Sequence, residues 1–482
     1  MDLKVIARQI MLERGFIPDF PPQALEQLSD IKKHTQPLTF EKGVRDLRHL
    51  PWSSIDNDDS LDIDQIEVAE PLTNGMVKIM IAIADVDALV PKNSPIDIYA
   101  SEETTTVYAG IRTFPMLPNE LSNDKTSLAE NMNRPSIVIE FTVKSDGSLS
   151  SSDIYRAIVR NHAQLTYNSV GKWLESSSLA PIKISESKEL QEQLKLQDKI
   201  AQILKNKRHE HGGLYLESIQ IHPIFSGTKI ADIANQEKNR ATDLIEDFMI
   251  TANEVVGKKL EKLSILKRVV KTPKRWDRIV QLAANYKTKL PSEPSSKELN
   301  EFLISRKTID PDHFADLSLA IIKLIGPGEY IMERGSDNKQ GHFGLAVQDY
   351  THSTAPNRRF ADIVTQRIIK AMLNGDKNPY SDEELVTIAN NCTLKENLAN
   401  KVERDMSKRI AAMVMSHRIG EIFNAVVTGV TTHGTFVRIL HPHVEGLLAQ
   451  GETGLDVGDI LKVKLIYTDV NRGYIDFANI NR

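Results

Sequence analysis

The sequence predicts an α+β protein of several domains: a small helical N-terminal unit, a mixed α/β central domain and a C-terminal five-stranded OB-fold barrel. Three observations lead to this prediction. The chain has 482 residues, which is too long for one compact core. Helical spacing of apolar residues dominates its start, and β-rich runs and long helices follow in its middle. From Gly420 onward, five short β-rich runs follow one another within about 60 residues.

The helical N-terminal unit is expected at residues 1–48. Its apolar residues recur at roughly helical spacing until Gly15, at Leu3, Val5, Ile6, Ile10 and Met11. Two prolines then precede the run QALEQL, and proline is favoured in the first turn of a helix. Two short helices are therefore predicted ahead of the central domain.

The central domain is expected at residues 49–418 and is predicted to begin with a β-hairpin. Two β-rich runs meet at Asn74-Gly75, a dipeptide suited to a hairpin turn. Further strands are expected at 136–143 and 214–225. Long helices are predicted at Lys188–Arg208, Asn239–Leu263, Asp277–Tyr286, Arg359–Leu373 and Leu394–His417. The barrel then occupies residues 419–482.

Composition sets broad limits on function. Charged residues make up 26% of the chain and the net charge is −5, which is ordinary for a soluble protein and leaves room for a local basic surface. A single cysteine, Cys392, excludes an intramolecular disulfide and fits a reducing compartment. No apolar run is long enough to cross a bilayer, and the start lacks the apolar core of a signal peptide. We therefore expect a cytoplasmic protein that does not act at a membrane.

Five aspartates crowd into the stretch IDNDDSLDIDQIEV, which begins at residue 55. Like charges this close need a cation, a run of N–H donors or full exposure to solvent. Because side chains alternate in extended structure, Asp62 and Asp64 are expected on one face, with Leu61 and Ile63 anchored in a core. Asp56, on the preceding loop, is expected to turn back to the same point, and such oxygens suit Mg²⁺ or Mn²⁺. A solvated acidic turn is the alternative that the residues alone leave open.

A second cluster of polar residues is HFGLAVQDYTHSTAPNRRFADIVTQ, residues 342–366. Arg358 and Arg359 immediately precede a predicted helix with Asp362 in its first turn. Guanidinium groups, backbone N–H groups and the helix dipole together favour a phosphate. Arginines that only solubilise the surface are the alternative.

A third feature is the basic segment Lys258–Arg278, which holds nine Lys or Arg residues against two acidic ones and includes Trp276. A solvated helix face and a patch that tracks phosphates explain it about equally well.

These motifs, in this order, resemble the ribonuclease II / ribonuclease R (RNB) family of exoribonucleases across almost all of residues 50–482. IDNDDSLDID resembles the family's metal-binding aspartate motif, which implies metal ligands at Asp56, Asp62 and Asp64. Within that motif Asp64 is also implied to be catalytic. The cluster at 342–366 is similar to the family's long signature, which implies a catalytic arginine at Arg358.

The resemblance also implies contacts to RNA. TVYAGIRTFPMLPNELSNDKTSL is similar to the segment whose tyrosine stacks on the RNA 3′ end, and AQLTYNSVGKWLE matches a second RNA-contacting tyrosine. ANKVERDM matches an RNA-contacting glutamate, and the HGTFV run at 433–437 resembles the OB-fold of ribosomal protein S1. With both arginines of the signature, the expected RNA-binding residues are Tyr108, Tyr167, Arg358, Arg359, Glu403 and Phe436.

The sequence departs from the family pattern at several places. Gln65 stands where the family usually has a fourth aspartate, so one metal ligand is expected to be neutral. Asn357 replaces an apolar residue before the catalytic arginine, and Ala449 stands where an RNA-contacting histidine is common. A short helical unit stands where the family has paired cold-shock domains, from which we expect a wider RNA entrance.

The resemblance implies a processive 3′→5′ exoribonuclease that hydrolyses single-stranded RNA to nucleoside 5′-monophosphates with Mg²⁺ or Mn²⁺. Structured RNA with a 3′ overhang is a further expected substrate, and a monomer is expected. The competing hypothesis is an RNA-binding regulatory protein of the same fold whose active site has lapsed. Gln65 favours that hypothesis, whereas the joint presence of Asp62, Asp64, Tyr108 and Arg358 argues against it.

Overall fold

The computed structural model describes residues 2–34, 43–176, 178–217, 220–226, 229–236, 238–311, 313–337, 339–439 and 441–480. Residues 35–42 of the expected N-terminal unit, and residues 218–219 of the strand expected at 214–225, lie outside these ranges.

Twelve helices form in the described part of the chain. They are α1 Leu3–Glu13, α2 Pro22–Lys33, α3 Pro95–Glu103, α4 Tyr167–Leu174, α5 Ile182–Ser185, α6 Lys188–Glu210, α7 Arg240–Lys259, α8 Trp276–Asn285, α9 Ser296–Ile309, α10 Phe314–Ile325, α11 Phe360–Asn374 and α12 Asp382–Met415.

The strands that precede the barrel are β1 Arg45–Asp46, β2 Ser53–Asp56, β3 Gln65–Pro71, β4 Val77–Ala84, β5 Val107–Tyr108, β6 Thr113–Phe114, β7 Asn133–Val143, β8 Leu149–Arg160, β9 Ala163–Thr166, β10 Gln220–Ser226, β11 Lys229–Gln236, β12 Ile265–Val269 and β13 Glu329–Glu333. The barrel strands are β14 Ile422–Thr431, β15 Gly434–Ile439, β16 Val444–Gln450, β17 Ile460–Asp469 and β18 Tyr474–Asn479.

A seven-stranded sheet forms the centre of the molecule, in the order β1-β8-β7-β4-β3-β2-β9. Its neighbours are antiparallel except for β1 with β8 and β2 with β9, which are parallel. One face packs under α6, α7 and α11, where Leu194, Phe248 and Ile363 join the largest apolar core. The opposite face buries Trp52 and Ile66 in a second core. The sheet is thus buried on both faces, which leaves its strand ends as the places where polar side chains can gather.

The C-terminal strands close into a barrel in the order β14-β15-β16-β18-β17, as the sequence predicts. Its interior shares one apolar core with α12 and α1, to which Leu3, Met406 and Phe477 contribute. The short helix α1 is therefore packed beside the barrel, and its end is tied to α12 by an ion pair from Arg14 to Asp405 at 2.9 Å.

Most predicted elements are confirmed. Helices α1 and α2, the β3–β4 hairpin across Asn74-Gly75 and the long helix α7 form where the sequence predicts them. Two predictions are wrong. Residues 214–217 form no strand, and α12 begins twelve residues earlier than the predicted Leu394. The early start follows from a capping box between Ser381 and Glu384, because each side chain accepts a hydrogen bond from the other residue's backbone N–H. The boundaries at 48/49 and 418/419 stay predictions.

In the described ranges, helix length and apolar content never reach what a membrane-crossing segment needs.

Candidate active site

The candidate site lies at the end of β2, where Asp56 is the last residue of the strand. Its carboxylate accepts hydrogen bonds from the Asn57 amide at 2.7 Å and from the Ser60 hydroxyl at 2.8 Å. The sequence analysis places Asp56 on a loop, so its position on a strand is a correction. The strand fixes its backbone, and in the parallel pairing with β9 it lies opposite Thr166.

The segment that carries Asp62 and Asp64 is not part of a strand, since β3 begins only at Gln65. Ser127 fastens this segment, because its hydroxyl accepts from the Ile63 amide at 3.1 Å and donates to the Leu61 carbonyl at 2.7 Å. Ile63 is fully buried, as predicted, whereas Leu61 is 61% exposed. The expectation that Leu61 anchors a core is therefore wrong, and buried Ile63 holds the segment together with the two hydrogen bonds of Ser127.

Asp64 is the most buried of the three expected metal ligands, with 3% of its surface exposed. One carboxylate oxygen accepts a hydrogen bond from the Asn357 amide at 2.9 Å, and the other lies 3.7 Å from the Arg358 Nε. Burial raises the pKa of Asp64 to about 8, although Arg358 and the Asn357 amide act to lower it. The nearest charges therefore do not compensate for the loss of water around this carboxylate.

Asp62 is half-buried beside Asp64. Burial raises the pKa of Asp62, and the neighbouring charge of Asp56 raises it further. Asp62 in turn acts to raise the pKa of Asp64. The three aspartates are thus close enough to disfavour each other's ionised forms, as carboxylates that share a site do.

Arg358 stands at the centre of the candidate site. Its side chain is about half-exposed, at 48%. Its charge acts on the pKa of Asp62, Asp64, Tyr108 and Tyr167 alike, so the guanidinium lies within reach of all four side chains. Four of the residues predicted from separate motifs therefore meet around this one side chain.

Tyr108 ends the short strand β5 and keeps 45% of its surface exposed. Its backbone N–H donates to a carboxylate oxygen of Glu403 on α12 at 2.9 Å. Burial raises the pKa of Glu403 above its usual value, although this hydrogen bond acts to lower it. Glu403 therefore anchors the backbone of Tyr108, while the exposed ring is left free to stack on a base.

Tyr167 begins α4 directly after β9, whose last residue pairs with Asp56. Its hydroxyl is buried, which raises its pKa well above the usual range, and the nearby charges of Asp56 and Glu67 act in the same direction. Asn239, the N-cap of α7, donates to the Tyr167 carbonyl at 3.1 Å. Strand end and helix start thus fix the backbone of Tyr167 directly after the residue that pairs with Asp56.

Arg359 lies next to Arg358 in sequence but is directed into the protein. Its guanidinium donates to Asp362 at 2.8 Å, and Asp362 also accepts from the Ala355 amide at 2.8 Å. Although burial acts to lower it, Asp362 raises the pKa of Arg359 above its usual range. Through Asp362, Arg359 thus stabilises the turn that precedes α11. A contact of Arg359 with RNA stays a prediction.

Phe436 is half-buried on β15 and is not among the side chains gathered around Arg358. Strand pairing places it in one lateral row of the barrel with Leu447, Asp476 and Tyr467. Tyr467 is 48% exposed, as an aromatic ring must be to stack on a base. The sequence analysis overlooks Tyr467, although it lies in the predicted strand DILKVKLIYTDV.

The residues fit a divalent cation by their chemistry, although within the described ranges no three acidic, His or Cys side chains stand close enough to form a complete metal site. The charge of Asp56 acts on Asp62 and that of Asp62 on Asp64, which is buried with a pKa of about 8. The only cation paired with Asp64 in the described ranges, that of Arg358, is 3.7 Å away. Hard carboxylate oxygens beside open solvent suit Mg²⁺ or Mn²⁺. Such an ion would compensate the negative charge of the buried Asp64 carboxylate.

The basic segment 258–278 forms neither a single solvated helix face nor a single basic patch, because its middle is buried. Its central residue Lys267 is buried and pairs with Glu333 at 2.5 Å and Asp349 at 3.0 Å. Trp276 is 4% exposed and belongs to a core between helices, so it does not stack on RNA. Phosphate tracking by the exposed lysines at either end stays a prediction.

Two further residues of the site are missed from the sequence. Asn357 supplies the amide that holds Asp64, and its own side chain accepts from the Thr126 hydroxyl at 2.6 Å. Glu67 is fully buried near Asp56 with neither oxygen hydrogen-bonded to a described residue, and burial raises its pKa well above the usual value. The sequence does contain a sign of Glu67, since it is an acidic residue within the β-rich run QIEV.

Comparison with known proteins identifies both parts of the chain. Residues 44–375 match the RNB domain, and residues 421–479 match the RNase II-type exonuclease C-terminal S1 domain. Escherichia coli (strain K12) ribonuclease R is 31% identical over 466 residues, which cover 92% of this chain and 56% of that relative. The chain thus spans little more than half the length of this relative.

Solved structures show the same fold. Mycoplasma genitalium RNase R in complex with ribose-methylated single-stranded RNA superposes with a TM-score of 0.88 at 22% identity, covering 99% of this chain and 78% of that one. The same Mycoplasma protein in complex with double-stranded RNA superposes with a TM-score of 0.86 at 23% identity, covering 99% and 83%.

Proposed function

Because the chain belongs to the ribonuclease II / ribonuclease R (RNB) family, we propose that it is a metal-dependent 3′→5′ exoribonuclease that degrades single-stranded RNA processively to nucleoside 5′-monophosphates. The observation that carries this proposal is the buried Asp64, whose pKa is raised to about 8, beside a half-exposed Arg358 whose charge also acts on Tyr108 and Tyr167. Phosphodiester hydrolysis with bound metal ions needs carboxylates that can hold the metal and a cation that can reach the phosphate. Asp64 and Arg358 have these two properties.

The aspartates would hold the metal. Asp56, Asp62 and Asp64 would bind two divalent cations, and their carboxylates would turn towards each other to share them. When bound, such ions activate a water molecule and stabilise the leaving 3′-oxygen. The Asn357 amide donates to one oxygen of Asp64, and the other oxygen accepts no hydrogen bond from a described residue and is open to a cation.

Arg358 would act on the phosphate itself. Its guanidinium stays half-exposed because Asp64 is its only ion-pair partner in the described residues and lies at 3.7 Å. It can therefore turn to the scissile phosphate and neutralise the charge that develops there in the transition state. This is a role that a guanidinium in a closed ion pair, such as that of Arg359, is not free to take.

Tyr108 and Tyr167 would hold the terminal nucleotides. Base stacking on aromatic rings is tolerant of sequence, which suits a degradative enzyme. The complexes of the Mycoplasma relative with single-stranded and double-stranded RNA support RNA as the substrate, and we extend the proposal to duplexes with a 3′ overhang. Buried Cys392 is compatible with a cytoplasmic monomer, which we propose as its working state.

The test is digestion of 5′-labelled single-stranded RNA with and without Mg²⁺, with product sizes and mononucleotides resolved. Successive shortening from the 3′ end and release of 5′-monophosphates, both lost on chelation and in Asp64→Asn, are expected. Tight RNA binding without any metal-dependent shortening would instead favour the second candidate, an RNA-binding regulatory protein, which Gln65 in place of a fourth carboxylate favours.

A further inference from the structure

A short segment, residues 104–108, connects two sides of the candidate site and is called the strap below. Its first half pairs with the backbone that flanks Arg358. The Thr106 amide donates to the Arg358 carbonyl at 3.0 Å, and the Phe360 amide donates to the Thr104 carbonyl at 2.9 Å. The two bonds bracket Arg359 and fix the backbone that immediately follows the Arg358 side chain.

Thr105 strengthens this pairing in the middle of the strap. It forms an isolated antiparallel bridge with Arg359. Its hydroxyl lies 3.3 Å from the Arg358 carbonyl and equally far from the Thr106 carbonyl, so one donor links the strap to the segment that carries Arg358. The main-chain carbonyl of Arg358 therefore faces an amide and a hydroxyl of the strap.

The other end of the strap carries Tyr108. Val107, just before it, is fully buried, and the Thr106 hydroxyl accepts from the Met116 amide at 3.0 Å. The Tyr108 amide is bound to Glu403. The strap is thus anchored at both ends, and only the Tyr108 ring projects towards solvent.

The strap starts from a strained residue. Thr104 has a φ of 58°, a left-handed conformation that a β-branched side chain rarely adopts. It is 4% exposed, and its hydroxyl has no hydrogen-bond partner among the described residues. Strain of this kind persists only where the surroundings enforce it, and it concentrates at functional sites. Here it directs the Thr104 carbonyl onto the first amide of α11.

We propose that the strap is a positioning element that fixes the distance between the base stacked on Tyr108 and the guanidinium of Arg358. The inference rests on the proposed function. Five consecutive residues, bonded to the backbone at 358–360 at one end and to Glu403 at the other, hold the two side chains in one rigid unit. The phosphate next to the terminal nucleotide then meets Arg358 each time a base stacks on Tyr108. Thr104 and Thr105 act through Arg358 and touch neither the RNA nor the metal.

The first test removes the hydroxyl of Thr105 and keeps its shape. Thr105→Val should slow the step rate of nucleotide release, measured with an excess RNA trap, about threefold to tenfold, because a neutral hydrogen bond that fixes Arg358 is lost. RNA affinity without metal should not change. Thr105→Ser, which keeps the hydroxyl, should restore the rate. Thr387→Val is the matched control, since the exposed Thr387 donates to the Glu383 carbonyl within its own helix.

The second test separates positioning from folding. Glycine adopts a φ of 58° without strain, so Thr104→Gly should leave the melting temperature unchanged or raise it. The step rate should nevertheless fall, because the freed backbone no longer fixes the turn at Arg358. A melting temperature that falls together with the rate would show a purely structural role and overturn the proposal.

A double-mutant cycle decides whether the strap acts through Arg358. In an Arg358→Ala background, Thr105→Val should cause no further loss of rate. An equal loss in both backgrounds, or an unchanged rate in Thr105→Val while the wild type hydrolyses RNA, overturns the positioning role alone. A wild type that binds RNA and never hydrolyses it overturns the proposed function and this inference together.

Discussion

Helix α11 and the turn just before it carry basic side chains to two places in the molecule, and the two places differ in how closely those side chains pair with carboxylates. In its second half, Arg367 contacts Asp87 and Asp97 at 2.7 Å each, and Lys370 contacts Asp85 at 2.5 Å. Although burial acts to raise it, the pKa of Asp87 lies below its usual value because of Lys370 and Arg367. Every carboxylate of this cluster, called the ion network below, has a cation at contact distance.

At the start of α11 the balance is different. Asp64 is as buried as the carboxylates of the ion network, yet its nearest cation, on Arg358, stands 3.7 Å away and faces solvent. The pKa of Asp64 is correspondingly raised to about 8 by burial. This part of the chain can thus pair buried aspartates closely, so the long 3.7 Å contact of Asp64 is a property of the site. It is consistent with a place kept for a divalent cation.

The largest expected effect separates the two regions by function. Asp64→Asn keeps the shape of the side chain and removes a metal-binding charge, so RNA hydrolysis should fall below detection. The free energy of unfolding, measured by urea denaturation without metal, should stay unchanged or increase, because an unfavourable buried carboxyl is replaced by a neutral amide. Residual hydrolysis near the wild-type rate would remove Asp64 from the chemistry.

The ion network should respond in the opposite way. Arg367→Met leaves Asp97 buried without its ion-pair partner and Asp87 with Lys370 alone, a loss that typically costs about 3–5 kcal/mol. The free energy of unfolding should fall by this order, and the surviving folded protein should hydrolyse RNA at close to the wild-type rate. A large loss of rate with unchanged stability would show that the ion network belongs to the site.

The adjacent arginines sharpen the comparison within one turn. Arg358→Ala should lower the rate of hydrolysis about 10²–10³-fold, as loss of a transition-state charge partner typically does. Stability should change little, since its side chain is about half-exposed. Arg359→Ala should instead lower stability, because it leaves Asp362 buried without its ion-pair partner. Rate and urea unfolding, measured on both variants, distinguish them, and the reverse pattern would place the catalytic role on Arg359.

These arginines also mark how far sequence reasoning reaches. The Asp-x-Asp spacing and the pair of arginines before a helix are local patterns, and they identify the right part of the chain. Which arginine faces solvent depends on the turn at 355–359, and the burial of Asp64 depends on an amide 293 residues away, from Asn357. Ile63 is buried and Leu61 is not, because Ser127 fastens the segment out of the sheet. Contacts between distant residues, which periodicity does not encode, decide all three.

A smaller effect is expected from pH. In the absence of metal, the folded protein keeps a proton on Asp64 up to pH of about 8, whereas the unfolded chain loses it near its ordinary value. The contribution of Asp64 to stability is therefore present at low pH and is lost as pH rises towards 8. The difference in unfolding free energy between wild type and Asp64→Asn, measured by urea at several pH values with chelator, should follow this trend. A difference that does not vary with pH would contradict the raised pKa.

The smallest expected effect concerns Gln65, which is buried directly after Asp64 at the start of β3. A carboxylate binds Mg²⁺ more strongly than an amide oxygen does. Gln65→Asp should therefore lower the Mg²⁺ concentration for half-maximal hydrolysis by a few-fold, without changing the maximal rate. The measurement is a Mg²⁺ titration of the rate, and an unchanged midpoint would show that position 65 does not contact a metal.

The claim that Asp64 binds a divalent cation is tested most directly by a melting experiment. Protein stripped of metal is melted after addition of increasing concentrations of Mg²⁺. Any ligand that binds only the folded state raises the melting temperature. We predict a clear rise for the wild type and for Arg367→Met, and none for Asp64→Asn, whose starting value equals or exceeds that of the wild type. An equal rise in Asp64→Asn, or no rise in the wild type, would contradict a metal site built on Asp64.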